Sequence, residues 1–386
     1  MALSEPLIIA GTRPELIKMA PIASSLRRLR VSFKFLYTGQ HYDHELSRTF
    51  ISELGLPEPD FDLGIKAGRS ATLTGEVVIR TAEAIRELDP ALALVQGDTN
   101  TALAATIAAL KEKVSIGHVE SGLRSYDWRM PEEHNRRMID HVSGYLFAPT
   151  DRALLNLFEE KAPGSKHVTG NTVIDATIHN MPRAEFISKI PQKLRFKEYV
   201  LATAHRAENV DDPDVLRSFV EVFQDLPLPV VFPAHPRTVN RLRGIGLLQN
   251  LASHRNIQLL PPVGYFDFLI LMKRSSLILT DSGGVQEEAT SPPIRKRVVV
   301  MRNSTERPEA VEWGFAKLAG TRKQEIVKCA VEMLEADAKL PSTSPFGDGS
   351  SGEVIGRIVA EIVESTRKSS LTLLPPQFPI ISASED

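Results

Sequence analysis

At 386 residues, with 42% hydrophobic and 24% charged residues, the chain has the length and apolar content for two domains with buried cores, and disorder of the whole is excluded. Its 46 Lys and Arg against 48 Asp and Glu give a net charge of −2, so there is no global basic field of the kind non-specific nucleic-acid binding relies on. One cysteine, Cys329, leaves no intrachain disulfide or CxxC metal site, and no apolar run reaches the ~18 residues a membrane span needs. The opening MALSEPLIIAGTRPE has no basic segment ahead of its apolar residues, so an unexported, cytoplasmic protein is expected, and the sequon Asn303-Ser304-Thr305 is read as chance.

Along the chain, short apolar runs rich in β-branched residues alternate with longer amphipathic ones, the pattern of parallel strands covered by helices. The first set of expected strands is Leu7–Ala10, Phe33–Tyr37, Leu92–Gln96, Val114–His118 and Tyr145–Ala148. After a polar, Pro-containing stretch at 181–196 the alternation restarts with Tyr199–Ala202, Val230–Phe232, Ile257–Leu259, Leu277–Leu279, Val298–Met301 and Ala316–Leu318. The fold class expected is α/β, with two Rossmann-like doubly wound domains over 1–171 and 172–353. A helix from about 354 to 370 returns to the first domain, and a tail follows at 371–386. In such sheets ligands sit beyond the carboxyl ends of the strands, here in an interdomain cleft.

The polar motifs all follow expected strands. In LIIAGTRPELIKMAPIASSL, Thr12 and Glu15 fit a capping box; Leu16, Ala20, Ala23 and Leu26 repeat at helical spacing, and Pro21 is expected to kink the helix. This places Arg13 at a helix entrance, where a guanidinium can grip a diphosphate bidentately and Lys18 can add a point charge; the alternative is a surface ion pair. VQGDTNTALAATIAAL puts Asp98 in a turn before an Ala-rich helix capped by Thr99 or Asn100, and a capping role for Asp98 is the simpler reading. GHVESGLRSYDWRMPEEHNRRMIDH gathers Glu120, Asp127, Glu132 and Glu133 with Arg124, Arg129, Arg136 and Arg137. Paired carboxylates in one cleft can act as base and acid, or the segment can be a salt-bridged loop.

His205, in ATAHRAENV with Arg206, and His235, in FPAHPRT with Arg237, end strands of the second set and can supply charge or a proton near neutral pH. LTDSGGVQEEA reads as a strand, a tight Gly283-Gly284 turn and a helix start, where free amides and the helix dipole favour an anion such as phosphate. RNSTERPEAVEWG sets Glu306, Arg307 and Glu309 after a strand and before a helix from Pro308. His118, His134 and His141 lack metal-site spacing, and neither GxGxxG nor GxxxxGK[ST] is present, so no metal, NAD or ATP site is expected.

GTRPELIKMAP, TGQHYD, QGDTNTALA, GHVESGLR, MPEEHNR, TGNTVIDA, TAHRAEN, TDSGGVQEEA and STERPE, in this order from Pro6 to about Val363, resemble the non-hydrolysing UDP-N-acetylglucosamine 2-epimerases, whose fold is like that of GT-B glycosyltransferases. The resemblance implies that Arg13, His205, Ser282, Gly283 and Gly284 hold the diphosphate. It puts Glu288 on the ribose, Arg136, Lys18 and Arg307 near the substrate, and Asp98, Glu120 and Glu132 beside the sugar, with His205 also in a catalytic role. It further implies inversion at C2 by anti elimination of UDP to a 2-acetamidoglucal and re-addition, UDP-N-acetylglucosamine and UDP as ligands, a homodimer and no cofactor. The assignment of base and acid among the three carboxylates stays open.

Some bacterial members of that family bind a second UDP-N-acetylglucosamine as an activator, through residues matching Gln40, Arg69, Arg206 and His235, but this chain has Asp43 where those members tend to carry Gln. TSPPIRKRVVVM, after EEA, also departs: it is about two residues longer than the family loop and carries Pro292-Pro293 and Arg295-Lys296-Arg297. Three readings follow: a reversible epimerase, a hydrolysing relative or GT-B glycosyltransferase, and a silent nucleotide-sugar binder.

Overall fold

The computed structural model describes residues 5–39, 44–65 and 70–371. Its first half runs β1 (Pro6–Ala10), α1 (Arg13–Arg28), β2 (Lys34–Tyr37), α2 (His44–Glu53), β3 (Phe61–Asp62), α3 (Ser70–Leu88), β4 (Leu92–Gln96), α4 (Asn100–Lys111), β5 (Ile116–Val119), α5 (Pro131–Val142), β6 (Tyr145–Ala148), α6 (Asp151–Glu159) and β7 (Ser165–Val168). Two helices, α7 (Thr172–Ile187) and α8 (Ile190–Lys193), lead across. The second half runs β8 (Val200–Thr203), α9 (Ala207–Val210), α10 (Pro213–Asp225), β9 (Val230–Pro233), α11 (Pro236–Gly244), α12 (Leu248–Ser253), β10 (Ile257–Leu260) and α13 (Tyr265–Arg274). It continues with β11 (Leu277–Thr280), α14 (Gly283–Thr290), β12 (Val298–Val300), α15 (Pro308–Glu312), β13 (Ala316–Leu318) and α16 (Lys323–Glu335), and α17 (Ser351–Leu371) closes the described chain.

Both sheets are parallel throughout. Their orders are β3-β2-β1-β4-β5-β6-β7 and β10-β9-β8-β11-β12-β13. Each reverses direction of winding once, between β1 and β4 in the first and between β8 and β11 in the second, which is the doubly wound, GT-B-like arrangement expected. The central strands are apolar on both faces and fully buried, as helix-covered parallel sheets require: Leu7, Ile8, Leu92 and Leu94 in the first sheet, Val200, Leu201, Leu277 and Leu279 in the second.

Eleven of the strands coincide with expected ones to within two residues at either end. Two others do not appear in the sequence reading. Edge strand β7 is SKHV, half exposed and without an apolar run, and edge strand β3 is two residues long, so neither carries the burial signal that marks central strands. Helix α1 continues through Pro21 to Arg28.

The halves are joined by more than one crossing. Helix α7 lies against α1 on one side and α13 on the other. Helix α17 returns to pack along α1, close enough that a Cβ on Gly352 would stand 2.7 Å from Pro21 Cβ and one on Gly356 2.8 Å from Ser25 Cβ. No helix among the described residues is long and apolar enough to cross a membrane.

Candidate functional site

On the second half, β11 delivers Thr280 to the carboxyl end of the sheet, Asp281 and Ser282 make the turn, and α14 begins at Gly283. Ser282 is the cap, its Oγ accepting the Val285 N–H at 3.5 Å, so the two glycines are the first residues of the helix rather than the turn itself. Buried Asp281 accepts the backbone N–H groups of His205 and Arg206, each at 3.0 Å, and the Thr203 and Thr280 hydroxyls are 2.6 Å apart, which locks the ends of β8 and β11 together. The glycines do different things. A Cβ on Gly283 would meet Glu306 Oε1 at 2.6 Å and Arg307 Cζ at 3.1 Å; at Gly284 the nearest such atom is Ser282 Oγ at 4.0 Å. The first glycine admits Arg307 and the second leaves backbone open to the cleft.

On the first half, Glu15 accepts the N–H groups of Gly11 at 2.8 Å and Thr12 at 2.6 Å, and the Thr99 hydroxyl donates to its other oxygen at 2.6 Å. This carboxylate therefore pins the turn after β1 to the turn after β4, where Asp98 lies. Thr99 caps α4, leaving Asp98 free of that duty: Arg136 donates to it from Nη2 at 2.7 Å and Nε at 3.2 Å. Beneath the turn, buried His118 bridges Asp140, 2.7 Å from Nδ1, and the Gly97 carbonyl, 2.8 Å from Nε2. Glu120 leaves the end of β5 with φ +70°, a left-handed conformation that costs about 1–2 kcal/mol outside glycine. The backbone N–H groups of Glu120 and Ser121 both donate to the Phe147 carbonyl at 3.1 Å, which fixes that conformation and turns the carboxylate inward.

The two halves enclose a cavity of about 250 Å³. Lys18, Gln96, Asp98 and Glu120 line it from one side, and Arg206, Ser282, Gly283, Gly284, Glu288, Glu306 and Arg307 from the other. Charges meet across the gap. Glu120 is ion-paired to Lys18 and accepts from Arg307 Nη2 at 2.8 Å, Gln96 Nε2 at 3.0 Å and Asn171 Nδ2 at 3.2 Å. Fully buried Glu287 accepts from Arg307 Nε at 2.7 Å, Asn171 Nδ2 at 3.0 Å and Lys18 Nζ at 3.1 Å. Glu306 meets Arg307 at 2.8 Å, Arg302 at 2.9 Å and Arg206 at 3.3 Å.

Burial opposes ionisation of these carboxyls, and their neighbours decide the outcome. Lys18 and Arg307 outweigh burial at Glu120 and hold it below the usual range, and the arginines around Glu306 hold it well below. At Glu288, burial wins and pushes the pKa up to about 8.

A second pocket of about 260 Å³ shares Val285 with this cavity and is lined by Arg13, His205, His235, Pro262, Val263 and Phe268, among others. Arg13 is the first residue of α1 and its guanidinium lies 5.3 Å from the Phe50 ring centre, while His205 and His235 have ring centres 6.0 Å apart. So the structure brings Asp98, Glu120, Lys18, Arg206, Ser282, Gly283, Gly284, Glu288 and Arg307 to one cavity, and Arg13, His205 and His235 to its neighbour. Arg136 is 2% exposed and stands behind Asp98. Glu132, half-buried in the first turn of α5, is near Arg206: burial disfavours that guanidinium's charge, but Glu306, Glu132, Glu208 and Asp98 together hold its pKa above the ordinary value. Gln40, Arg69 and Asp43 lie outside the described residues. No group of three His, Cys, Asp or Glu side chains among the described residues is arranged to hold a metal.

A profile described as UDP-N-acetylglucosamine 2-epimerase matches residues 25–360, most of the chain. The chain belongs to the UDP-N-acetylglucosamine 2-epimerase family. It is 42% identical over 361 residues to the UDP-N-acetylglucosamine 2-epimerase of Methanocaldococcus jannaschii, covering 91% of this chain and 98% of that one. It is 38% identical over 369 residues to the UDP-2,3-diacetamido-2,3-dideoxy-D-glucuronate 2-epimerase of Pseudomonas aeruginosa, covering 92% and 99%. Among solved structures, the M. jannaschii enzyme in complex with UDP-GlcNAc and UDP superposes with a TM-score of 0.87 at 41% identity, covering 92% of this chain and 99% of that one. The Neisseria meningitidis UDP-GlcNAc 2-epimerase bound to UDP-GlcNAc gives 0.82 at 33%, covering 92% and 100%.

Several residues of this epimerase-family site were not legible in the sequence. Glu287 adjoins Glu288 and looks like an ordinary helix acid, yet it is wholly buried. Gln96 and Asn171 carry no charge to draw attention, and Val263 and Phe268 look like core; their position just past the carboxyl end of β10 was the available signal. The departing loop after Thr290 folds back on itself, Arg295 at φ +45° and the Lys296 N–H on the Ala289 carbonyl at 2.9 Å, with the Ser291 hydroxyl on the Glu288 carbonyl at 2.5 Å.

Proposed function

We propose that this chain interconverts UDP-N-acetylglucosamine and UDP-N-acetylmannosamine without hydrolysis, by anti elimination of UDP to a 2-acetamidoglucal, then re-addition of UDP to the same face of C1 with a proton delivered to the opposite face of C2. The observation that carries this reading is one cavity with an anion-binding helix start on one wall and two carboxylates, Asp98 and Glu120, on the other. The proton on C2 is not adjacent to a carbonyl, so it becomes labile only as the C1–oxygen bond stretches. Leaving-group stabilisation comes first: the free amides of Gly283 and Gly284, with Arg206 beside them and Arg13 and His205 in the adjoining pocket, face the position of a diphosphate. Each such donor is worth roughly 3–4 kcal/mol in other enzymes.

As the bond breaks, one carboxylate takes the C2 proton, electrons form the C1–C2 double bond, and UDP stays held. Return of a proton from the opposite side with re-addition of UDP completes the inversion, a redox-neutral sequence. Glu132, whose charge Arg206 feels, is assigned here as the third acid, and Arg136 acts on Asp98. The apolar Val263 and Phe268 pocket takes the uracil, and Glu288 the ribose. We also read the chain as a homodimer, because Ile79, Leu110 and Met138 are exposed on the adjoining helices α3, α4 and α5; sedimentation at micromolar concentration giving a monomer mass would end that reading.

Incubation with UDP-N-acetylglucosamine in deuterated water, followed by NMR, tests the function. Deuterium at C2 in a mixture of two UDP-linked epimers is expected; free N-acetylmannosamine would instead indicate the hydrolysing reaction, and absence of exchange a binding protein. A parallel incubation with UDP-2,3-diacetamido-2,3-dideoxy-D-glucuronate, the substrate that names the P. aeruginosa relative, tells the two sugars apart by rate.

A further inference from the structure

Glu287 does not line the cavity, is 0% exposed, and has no part in the reaction described above, yet it is tied to it on every side. Its two oxygens receive only donors: Lys18 Nζ, Arg307 Nε and Asn171 Nδ2. Glu120, which does line the cavity, likewise receives only donors, and three of its four partners are the same residues: Lys18, Arg307 and Asn171. Two carboxyls thus share two cations and one amide in a largely buried set; burial lifts the Glu287 pKa above its usual value, against the pull of Arg307 and Lys18, and Glu120 adds to the rise.

The set is assembled from both halves. Lys18 comes from α1, Gln96 from β4, Glu120 from the end of β5 and Asn171 from the cap of α7, whereas Glu287 comes from α14 and Arg307 from the cap of α15. Helix α14 is the one that starts with Gly283 and Gly284 and carries Glu288. The other charged or titratable groups facing the set are Glu306, 2.8 Å from Arg307, Asp98, whose field reaches Arg307, and Glu288, which feels both Lys18 and Glu287.

We propose that Glu287 is a positioning residue for Glu120: it balances the two buried cations that hold the cavity carboxylate, and it does so from the helix that meets the diphosphate, so that Glu120 is held for catalysis only when the two halves are seated. This rests on the epimerase reading of the site. Without the Glu287 charge, Lys18 and Arg307 face Glu120 alone in a poorly screened interior. The Glu120 anion is then over-stabilised, which makes it a weaker base, and both cations are drawn toward it and out of place.

The test is Glu287→Gln beside Glu287→Asp, with kcat, KM, the UDP dissociation constant and the pH profile of kcat measured on the full chain. For Glu287→Gln, kcat is expected to fall by roughly tenfold to a hundredfold, as for a misplacement near 1 Å, with UDP affinity kept. The limb of the profile that Glu120 sets, acidic for a base and alkaline for an acid, should move to lower pH, because removal of a neighbouring anion lowers the Glu120 pKa. Glu287→Asp keeps the charge and is expected to lose part of kcat while the limb stays in place. Wild-type kcat and limb in Glu287→Gln would overturn the proposal, as would a loss of UDP affinity matching the loss of kcat. Should Glu287→Gln fail to fold, Glu287→Asp decides alone: wild-type kcat there overturns the proposal, and a reduced kcat with an unmoved limb supports it. The wild-type deuterium exchange separates the two levels: no exchange defeats the epimerase reading, whereas exchange at equal rates in wild type and Glu287→Gln defeats only the role of Glu287.

Discussion

Replacement of Glu288 by Gln is expected to stabilise the ligand-free protein at alkaline pH and to leave it unchanged at pH 5. The Glu288 carboxyl is buried on α14, and that burial lifts its pKa from 4.5 to about 8. Between those values the folded state binds a proton that the unfolded chain has released, so stability falls as pH rises from about 4.5 to about 8 and is level beyond. At 1.36 kcal/mol per pKa unit, the whole shift sets a ceiling of ~5 kcal/mol. Gln resembles the protonated acid in shape and never ionises, so the variant escapes this term. At about 2–4 °C per kcal/mol, even half the ceiling separates the two melting temperatures by roughly 5–10 °C at pH 9. The assay is a pair of thermal melts at pH 5 and pH 9. Equal separations at the two pH values would refute the reasoning, because a packing effect does not titrate. If the ribose hydroxyls donate to the Glu288 carboxylate, UDP binding near pH 7 also releases a proton, seen by calorimetry as a dependence of the observed heat on buffer ionisation enthalpy.

Asp98→Asn, Glu120→Gln and Glu132→Gln are each expected to slow C2 deuterium exchange far more than they weaken UDP binding; equal losses would make these acids binding groups. Gly283→Ala forces a methyl against Glu306 Oε1 and Arg307 Cζ, 2.6 Å and 3.1 Å from the new Cβ, and is expected to cost about 1–3 kcal/mol of stability together with UDP affinity, read by denaturant melts and calorimetry. His118→Leu removes the bridge from Asp140 to the Gly97 carbonyl and leaves Asp140 to Arg124 and the Gly122 N–H, so a loss of about 1–3 kcal/mol is expected by the same melts, with kcat reduced through the displaced Asp98 turn.

The central strands were legible because a helix-covered parallel strand has to be apolar on both faces, and runs such as Leu92–Gln96 and Leu277–Thr280 leave little else to be. Edge strand β7, with one side open, has no such requirement and reads as loop. At the site, residues that end strands were legible from chain position alone, and Asp98, Glu120 and the Ser282-Gly283-Gly284 helix start do meet at one cavity. Partners set by the meeting of the halves were not. Glu287 takes its significance from Lys18 and Asn171, 269 and 116 residues away in sequence and on other elements, and no local pattern of charge or periodicity encodes that encounter.

The return of α17 to α1 makes the two halves interlocked rather than strung in series. Gly352 and Gly356 sit against Pro21 and Ser25, and the Gly352 N–H donates to Asp175 on α7 at 2.7 Å, so the last described helix completes the face of the first. A cut between residues 340 and 350 would therefore strip the amino-terminal half of its outer layer instead of releasing an intact carboxyl-terminal unit. Anyone wishing to isolate the amino-terminal half would have to splice residues 351–371 back onto it through a new linker.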